Sequence, residues 1–166
     1  MAIPKSLLII IAIVARALGS EAPSAYEMLE RFNFPRGILP EGVRGYTLGE
    51  DGAFEVYLSG ECEFKVEEGR GGGGGYLLRY KERIAGRVAS GSLRELSGVS
   101  VRVLLVWFGI GEVVRSDADL DFYVGPLSAS FPVSNFEESP RCGCGFYCAP
   151  PSSSSSSSAA AAAAEA

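Results

Sequence analysis

The sequence predicts a mostly β fold, a small antiparallel β-barrel or roll of about nine strands with one short N-terminal α-helix. The first reason is that short segments with alternating apolar and polar residues follow one another along most of the chain. The second is that turn-forming pairs separate these segments, as in Ser59-Gly60, Ser97-Gly98 and Gly125-Pro126. The third is that apolar residues follow helical spacing only at the start of the predicted domain, and strand-like alternation follows.

The N-terminal helix is predicted over residues 25–33. Ser24 is followed three residues later by Glu27, which is the pattern of a capping box. Met28 and the apolar residues after it continue at helical spacing. The Phe34-Pro35 pair should end the helix, because the residue before a proline avoids the helical conformation.

The strands are predicted from alternation bounded by turn residues. They cover 43–48, 54–58, 61–66, 76–80, 84–88, 99–108, 111–115, 119–124 and about 130–134. Residues 93–97 fit one turn of helix. In strand 99–108 both faces are apolar from Leu104 onward. That half is therefore expected to be buried on both sides, the commoner arrangement, or to have one face on a cavity.

The two ends of the chain differ in composition from its middle. Residues 1–19 are predicted to be a secretory signal peptide, since Lys5 precedes an apolar run at 6–14 that is too short to span a bilayer. Cleavage is expected after Gly19 or Ser20. Residues 24–145 form the predicted β domain, and residues 146–166 a disordered Ser/Ala-rich tail. The protein is therefore expected to be secreted or lumenal, with no transmembrane segment in the mature chain.

Charge argues against one class of partner. Without residues 1–19 the chain has 13 basic and 20 acidic residues, a net charge of −7, so nucleic acid is not an expected partner. The segment 79–102 is locally basic. It is interpreted as a solvated hairpin face, or alternatively as a rim for anionic head groups. The candidate rim residues are Arg79, Lys81, Arg83 and Arg87.

The residue inventory excludes several kinds of catalytic and metal site. The chain has no histidine, which removes Ser-His-Asp and Cys-His catalysis and the usual histidine metal sites. The glycine run 71–75 lacks the Lys-Ser or Lys-Thr of a phosphate loop. Asp117, Asp119 and Asp121 begin like a calcium loop, but Phe122 stands where that loop needs glycine. No catalytic residue, metal or cofactor is therefore predicted.

Cys62 lies in phase with Phe64 and Val66, on the apolar face of its strand. Four cysteines in a secreted chain predict two disulfides, with a four-thiolate zinc site as the less common alternative. We expect Cys62 to pair with Cys142 or Cys144. The cysteine left over from that pair is expected to bond to Cys148 or to remain free.

A ligand cavity is the main functional hypothesis from the residues. It depends on the apolar second half of strand 99–108 and on inward aromatic side chains, although small barrels are more often filled by their own side chains. The candidate cavity residues are Phe54, Phe64, Leu104, Val106, Trp107, Phe108 and Phe122.

Three stretches of the chain, taken together, resemble a known family. They are "ILPEGVRGYTLGEDGAFEVYLSGECEFKV", "YLLRYKERIAGRVASGSLRELSGVSVRVLLVWF" and "LDFYVGPLSASFPVSNFEESPRCGCG". The chain is similar over Tyr26 to Gly145 to the plant family of domain of unknown function 538. The glycine run 71–75 and the segment from Phe146 on depart from that family's pattern.

The resemblance implies a plant protein with a mostly β, barrel-like fold, secreted to the apoplast or an endomembrane lumen. Members of the family have been linked to stress responses and compared with bactericidal/permeability-increasing proteins, which hold lipid. The function expected is therefore non-enzymatic binding of an amphipathic or lipid-like molecule, including a pigment, in stress or developmental signalling. Two alternatives stay open: a chlorophyll-type ester hydrolase and a regulator that acts through protein contacts.

Overall fold

A computed structural model describes residues 22–67, 75–146 and 148. The predicted signal peptide, most of the glycine run and nearly all of the Ser/Ala-rich tail lie outside these residues. Within them, the chain forms one short α-helix, nine strands and two short 3-10 helices. Every strand pairing is antiparallel. The predicted mostly β class with a single N-terminal helix is confirmed.

Helix α1 spans Ala25–Arg31 and begins with the predicted capping box. The Ser24 side chain accepts a hydrogen bond from the Glu27 amide, and the Glu27 carboxylate accepts one from the Ser24 amide. Met28 and Leu29 are buried on the face of the helix that meets the sheet. The 3-10 helix Arg36–Ile38 follows and leads into the first strand.

The strands occupy most of the remaining described chain. Their bounds are Val43–Leu48 (β1), Ala53–Leu58 (β2), Cys62–Glu67 (β3), Gly75–Ala89 (β4), Ser92–Val103 (β5), Val106–Gly109 (β6), Glu112–Ser116 (β7), Asp119–Val124 (β8) and Leu127–Pro132 (β9). The second 3-10 helix, Val133–Phe136, follows β9.

All nine strands belong to one sheet, with the order β1-β2-β4-β5-β7-β8-β9. Strand β3 pairs with the first half of β4, and β6 pairs with the end of β5. Within the described residues β1 and β9 do not pair with each other, so the sheet is not closed. The barrel or roll expected from the sequence is therefore a loose description of a curved, open sheet.

Four parts of the strand prediction are wrong. The last strand, predicted at about 130–134, covers Leu127–Pro132. Residues 76–88 form one continuous strand, and residues 93–97 belong to β5 rather than to a helical turn. Predicted strand 99–108 is broken by a turn at Leu104-Leu105, where Leu104 has a backbone φ of 57°. These two leucines are not turn-forming residues, which is why the sequence pattern ran through them.

The core fills the concave side of the sheet. Phe34, Val56, Phe64 and Leu120 are among its largest fully buried side chains, and Cys62 is buried with them. Tyr80 is also buried, and its hydroxyl donates a hydrogen bond to the Ile38 carbonyl at 2.9 Å. That bond satisfies the one polar group of the ring, and burial raises the pKa of Tyr80 well above its usual value.

Candidate functional site

An apolar cavity of about 230 Å³ lies between two parts of the sheet. The first wall is the inner face of strands β3 to β5, which is the face that carries Cys62 and Phe64. Its lining residues are Val66, Tyr76, Leu78, Val101 and Val103. The second wall comes from β8, β9 and the 3-10 helix after β9. Its lining residues are Phe122, Val124, Leu127, Ala129, Phe131 and Phe136.

Strand pairing explains why the first wall is apolar. Leu78 of β4 is opposite Phe64 on one side and Val101 on the other, and Val101 is opposite Phe108. Directly paired residues of antiparallel strands point to the same side of the sheet. These four side chains therefore form an apolar row across β3, β4, β5 and β6. Alternation along each strand repeats the apolar pattern two residues further on.

Aromatic contacts join the two walls. The Tyr76 and Phe131 rings meet edge to face with centroids 6.2 Å apart. Phe131 also lies edge to face with Phe122 at 5.8 Å, and Phe122 is 5.6 Å from Phe136. Such edge-to-face pairs are favourable arrangements of the ring quadrupoles. The cluster closes one part of the space between the walls and leaves the rest empty.

The cavity reaches the protein surface and has no charged lining. Leu127 lines it and is 53% exposed, so part of the cavity lining is in contact with solvent. The polar lining side chains, in the part of the chain that the structure describes, are those of Tyr76 and Ser128. A site of this composition can accept a hydrocarbon group but provides no ion pair to orient one.

The structure separates the seven predicted cavity residues. Phe122 lines the cavity, whereas Phe54 and Phe64 are buried within the packed core. The remaining four, Leu104, Val106, Trp107 and Phe108, lie in the β5–β6 hairpin. There Leu104 is 91% exposed, which overturns the expectation that the second half of segment 99–108 is buried on both sides.

Several cavity residues were missed from the sequence. Val101 and Val103 alternate with Ser100 and Arg102, so the inward phase of the valine-rich strand was the signal that could have identified them. Phe131 was visible as part of the Phe131-Pro132-Val133-Ser134 stretch. Nothing in the sequence indicated that it would meet Tyr76 of β4.

The predicted head-group rim is largely neutralised by acidic neighbours. Arg79 lies 3.1 Å from a Glu61 carboxylate oxygen and 2.9 Å from one of Glu63. Arg83 pairs with Glu55. Arg87 pairs with Asp51 at 3.0 Å and with Glu95 at 3.5 Å. Lys81 is exposed. Three of the four cations thus have carboxylate partners, an arrangement typical of a solvated sheet face.

The four cysteines are paired in the structure. The sulfurs of Cys62 and Cys142 are 2.08 Å apart, with their Cα atoms at 5.0 Å, and Cys144 is bonded to Cys148. The first bond holds the segment after the second 3-10 helix against β3. There the Gly143 amide donates to the Glu63 carbonyl at 2.7 Å. Sulfurs bonded in this way serve neither as nucleophiles nor as zinc ligands.

Phe146 extends the packing that the first disulfide begins. Its ring meets Phe64 edge to face at 6.1 Å and lies 6.3 Å from Phe136. Gly145 makes this approach possible, because a Cβ there would lie 2.8 Å from the Lys65 carbonyl oxygen and its φ is +65°. Phe146, placed in the tail by the sequence prediction, therefore packs against the core.

The aspartates that resemble a calcium loop are used locally. Asp121 accepts hydrogen bonds from the hydroxyls of Ser116, at 2.6 Å, and Ser130, and these bonds lower its pKa. Among the described residues, no group of three or more His, Cys, Asp or Glu side chains is placed to hold a metal ion. The helices in this part of the chain are also too short or too polar to cross a bilayer.

Comparison with known proteins supports one assignment. The family described as "protein of unknown function, DUF538" matches residues 25–137, which is more than half of the chain. No curated protein and no solved structure matches the chain. The matched range contains α1, all nine strands and both cavity walls, so the chain belongs to the DUF538 family.

Proposed function

We propose that this protein is a non-enzymatic binder of an amphipathic or lipid-like molecule, whose apolar part enters the cavity between the two walls. The observation that carries the proposal is the cavity itself, a space of about 230 Å³ whose lining is mostly hydrocarbon and is partly exposed at Leu127. Enclosed apolar space of this kind gains free energy when a hydrocarbon group replaces water in it.

The size of the cavity restricts the ligand. At about 230 Å³ it lies below the range of about 300–1,000 Å³ that is typical of ligand pockets. That space suits the end of one alkyl or isoprenoid chain and is too small for a two-chain lipid. For a pigment of the chlorophyll type, the hydrocarbon tail would enter and the macrocycle would stay outside.

The compartment proposed for this activity lies outside the cytosol. Two disulfides are typical of secreted and lumenal proteins, and they agree with the signal peptide predicted at residues 1–19. An extracellular or lumenal binder of this size would meet free fatty acids, isoprenoids and membrane surfaces. We place its role in stress or developmental signalling, on the analogy of the family resemblance alone.

The hydrolase alternative has weaker support. It requires a base that is not histidine, since the chain has none. The serine–carboxylate cluster formed by Ser116, Asp121 and Ser130 is exposed, and the lowered pKa of Asp121 makes it a poor proton acceptor. Non-enzymatic binding is therefore the function that the geometry favours.

The test is a cavity-filling substitution. In Ala129→Phe the new ring would occupy the space that Ala129 borders, opposite Phe122 on β8. We expect the wild-type protein to bind decanoic acid, and Ala129→Phe to weaken that binding at least about tenfold. Titration calorimetry and native mass spectrometry provide the measurements.

The matched control is Ala85→Phe. Ala85 lies on β4 opposite Glu55, on the outer face of the sheet and away from the cavity. This variant adds the same ring and should bind decanoic acid as the wild type does. Near-ultraviolet circular dichroism checks that both variants are folded. Equal binding by all three proteins, or no binding of alkyl acids of any length by the wild type, would overturn the proposal.

A further inference from the structure

The turn between β5 and β6 exposes two adjacent leucines. Strand β5 ends at Val103 and β6 begins at Val106, so Leu104 and Leu105 form a two-residue turn. Their side chains are 91% and 89% exposed. Two-residue hairpin turns normally use Gly, Asn or Asp, which tolerate both solvent and positive φ.

The backbone of this turn is also unfavourable for leucine. Leu104 has a φ of 57°, in the left-handed region that bulky side chains rarely adopt. Leucine at this position therefore costs stability twice, once through backbone strain and once through exposure of hydrocarbon to water. A costly exposed apolar tip of this kind indicates a contact with something apolar.

Behind the tip, the outer face of the same strands carries a polar and aromatic row. Strand pairing aligns Lys65, Leu77, Arg102 and Trp107 across β3, β4, β5 and β6. The Arg102 guanidinium lies 5.9 Å from the centroid of the Trp107 ring, and the Arg79 guanidinium lies 3.9 Å from it. This row is about two residues, roughly 7 Å, behind the turn.

Two cations of this row have no acidic partner among the described side chains. Among the side chains that the structure describes, no carboxylate lies within ion-pair distance of Lys65 or Arg102. They contrast with Arg79, Arg83 and Arg87 on the same sheet, which all have carboxylate partners. From the tip inward, the exposed leucines thus come first, followed by the tryptophan and these two cations.

We propose that this tip docks on a phospholipid bilayer. Leu104 and Leu105 enter the boundary between head groups and acyl chains, Trp107 lies at the interface, and Arg102 and Lys65 meet lipid phosphates. The 7 Å spacing matches the depth of about 5–10 Å to which interfacial segments insert. Tryptophan and basic side chains are the residues that favour this level of a membrane.

Docking would also bring the cavity to the membrane. Val103 and Val106, which flank the two leucines, face the same side of the sheet as the cavity wall, and Val103 lines the cavity itself. A hydrocarbon chain leaving the bilayer at the tip would therefore have an apolar path toward that space. The docking itself does not depend on whether the cavity holds a ligand.

The experiment uses the mature full-length chain and two kinds of vesicle, pure phosphatidylcholine and phosphatidylcholine mixed with phosphatidylglycerol. Trp107 is the single tryptophan of the chain, so its fluorescence reports on the tip directly. We expect the protein to sediment with both vesicles and its emission to shift to the blue. Binding to the anionic vesicles should be stronger at low salt, because of Lys65 and Arg102.

The variant Leu104→Gly/Leu105→Ser removes the apolar tip and relieves the positive φ. It should therefore fold at least as well as the wild type, while its vesicle affinity falls at least about tenfold. Leu48→Ser is the matched control, since Leu48 is also exposed but lies at the end of β1. Arg102→Gln should weaken binding to the anionic vesicles more than to the neutral ones.

Two results would overturn the proposal. One is equal vesicle binding by the wild type and the Leu104→Gly/Leu105→Ser variant, or no binding by either. The other is concentration-dependent self-association that the same variant abolishes in sedimentation velocity runs without lipid, which would assign the tip to a second copy of the chain. The Ala129→Phe protein should still bind vesicles, so failure of ligand binding and failure of docking are distinguished.

Discussion

Glu55 on β2 shows how single residues of the outer sheet face are tuned by their neighbours. The Arg83 guanidinium, paired with Glu55 across β2 and β4, donates hydrogen bonds to its carboxylate, and the Tyr57 hydroxyl donates another. These bonds, with that from Arg83 the larger cause, lower the pKa of Glu55 from 4.5 to about 2. The same bonds raise the pKa of Arg83 and that of Tyr57 above their usual values.

At this scale we predict that Arg83→Gln returns the pKa of Glu55 toward 4.5. Tyr57→Phe should raise it by a smaller amount, because the hydroxyl is the lesser donor. A carboxylate whose pKa is lowered on folding stabilises the fold above pH 4.5, and that contribution is lost as the pH falls toward about 2. Side-chain carbon NMR of Glu55 across this range measures the shift. A pKa of Glu55 unchanged by Arg83→Gln would contradict the assignment.

At the scale of elements, the long β4–β5 hairpin contains a register shift at which a glycine is required. The first part of β4 pairs with β3, and the part from Arg83 onward pairs with β2. The register between β4 and β5 shifts between Tyr80 and Ala85. Gly98 of β5 lies at this shift with a φ of +89°, and a Cβ there would be 2.3 Å from the Arg83 carbonyl oxygen.

We therefore predict that Gly98→Ala lowers the free energy of unfolding by about 1–3 kcal/mol. Both the positive φ and the contact with the Arg83 backbone oppose a side chain there. Gly109→Ala on β6 is the control, because nothing lies within 4 Å of its Cβ position, and it should change stability by about 0.5 kcal/mol or less. Urea unfolding of both variants compares them. Equal stability of the two variants would show that the register shift does not need glycine at position 98.

The same hairpin explains which elements could be predicted from the sequence. Alternation and turn residues predicted strands β1, β2, β3, β7 and β8 to within about a residue, and the capping box predicted the start of α1, whose predicted end was two residues too late. The predicted break near residues 81–83 is a register shift inside one strand. A bulge interrupts the alternation of apolar and polar residues in the same way as the end of a strand, so the sequence pattern could not distinguish the two. The turn at Leu104-Leu105 was missed, since its residues carry apolar strand character rather than turn chemistry.

The candidate site was only partly predictable for a different reason. The alternation of apolar and polar residues along a strand identifies which side chains face the interior. It identified Phe122 as one of them. Whether two inward faces touch or stand apart depends on the curvature of the sheet. Tyr76 of β4 and Phe131 of β9 are in contact although their strands are far apart in sequence. The cavity lies beside this contact, so its position could not be read from either strand alone.

At the scale of the whole molecule, the Cys62–Cys142 disulfide connects β3 to the last described segment of the chain. The two cysteines are 80 residues apart, whereas Cys144 and Cys148 are 4 apart. In the chain-entropy description, closing the longer loop removes about 4.5 kcal/mol of unfolded-state entropy and closing the shorter one about 2 kcal/mol. The long-range bond also positions Phe146 over Phe64, so it adds packing to the constraint on the unfolded chain.

We predict that the double variant Cys62→Ala/Cys142→Ala loses about 2–5 kcal/mol of unfolding free energy, and clearly more than Cys144→Ala/Cys148→Ala does. Replacing both partners avoids leaving a free thiol that could exchange, and alanine at the buried position 62 avoids an unsatisfied hydroxyl. Peptide mapping without reductant should first recover the Cys62–Cys142 peptide from the purified protein. Urea unfolding then ranks the two double variants, and an equal or larger loss in the short-loop variant would contradict the prediction. If Cys62 is instead recovered as an alkylatable thiol, the bond is not formed in the purified protein and Cys62 acts only as a small core residue.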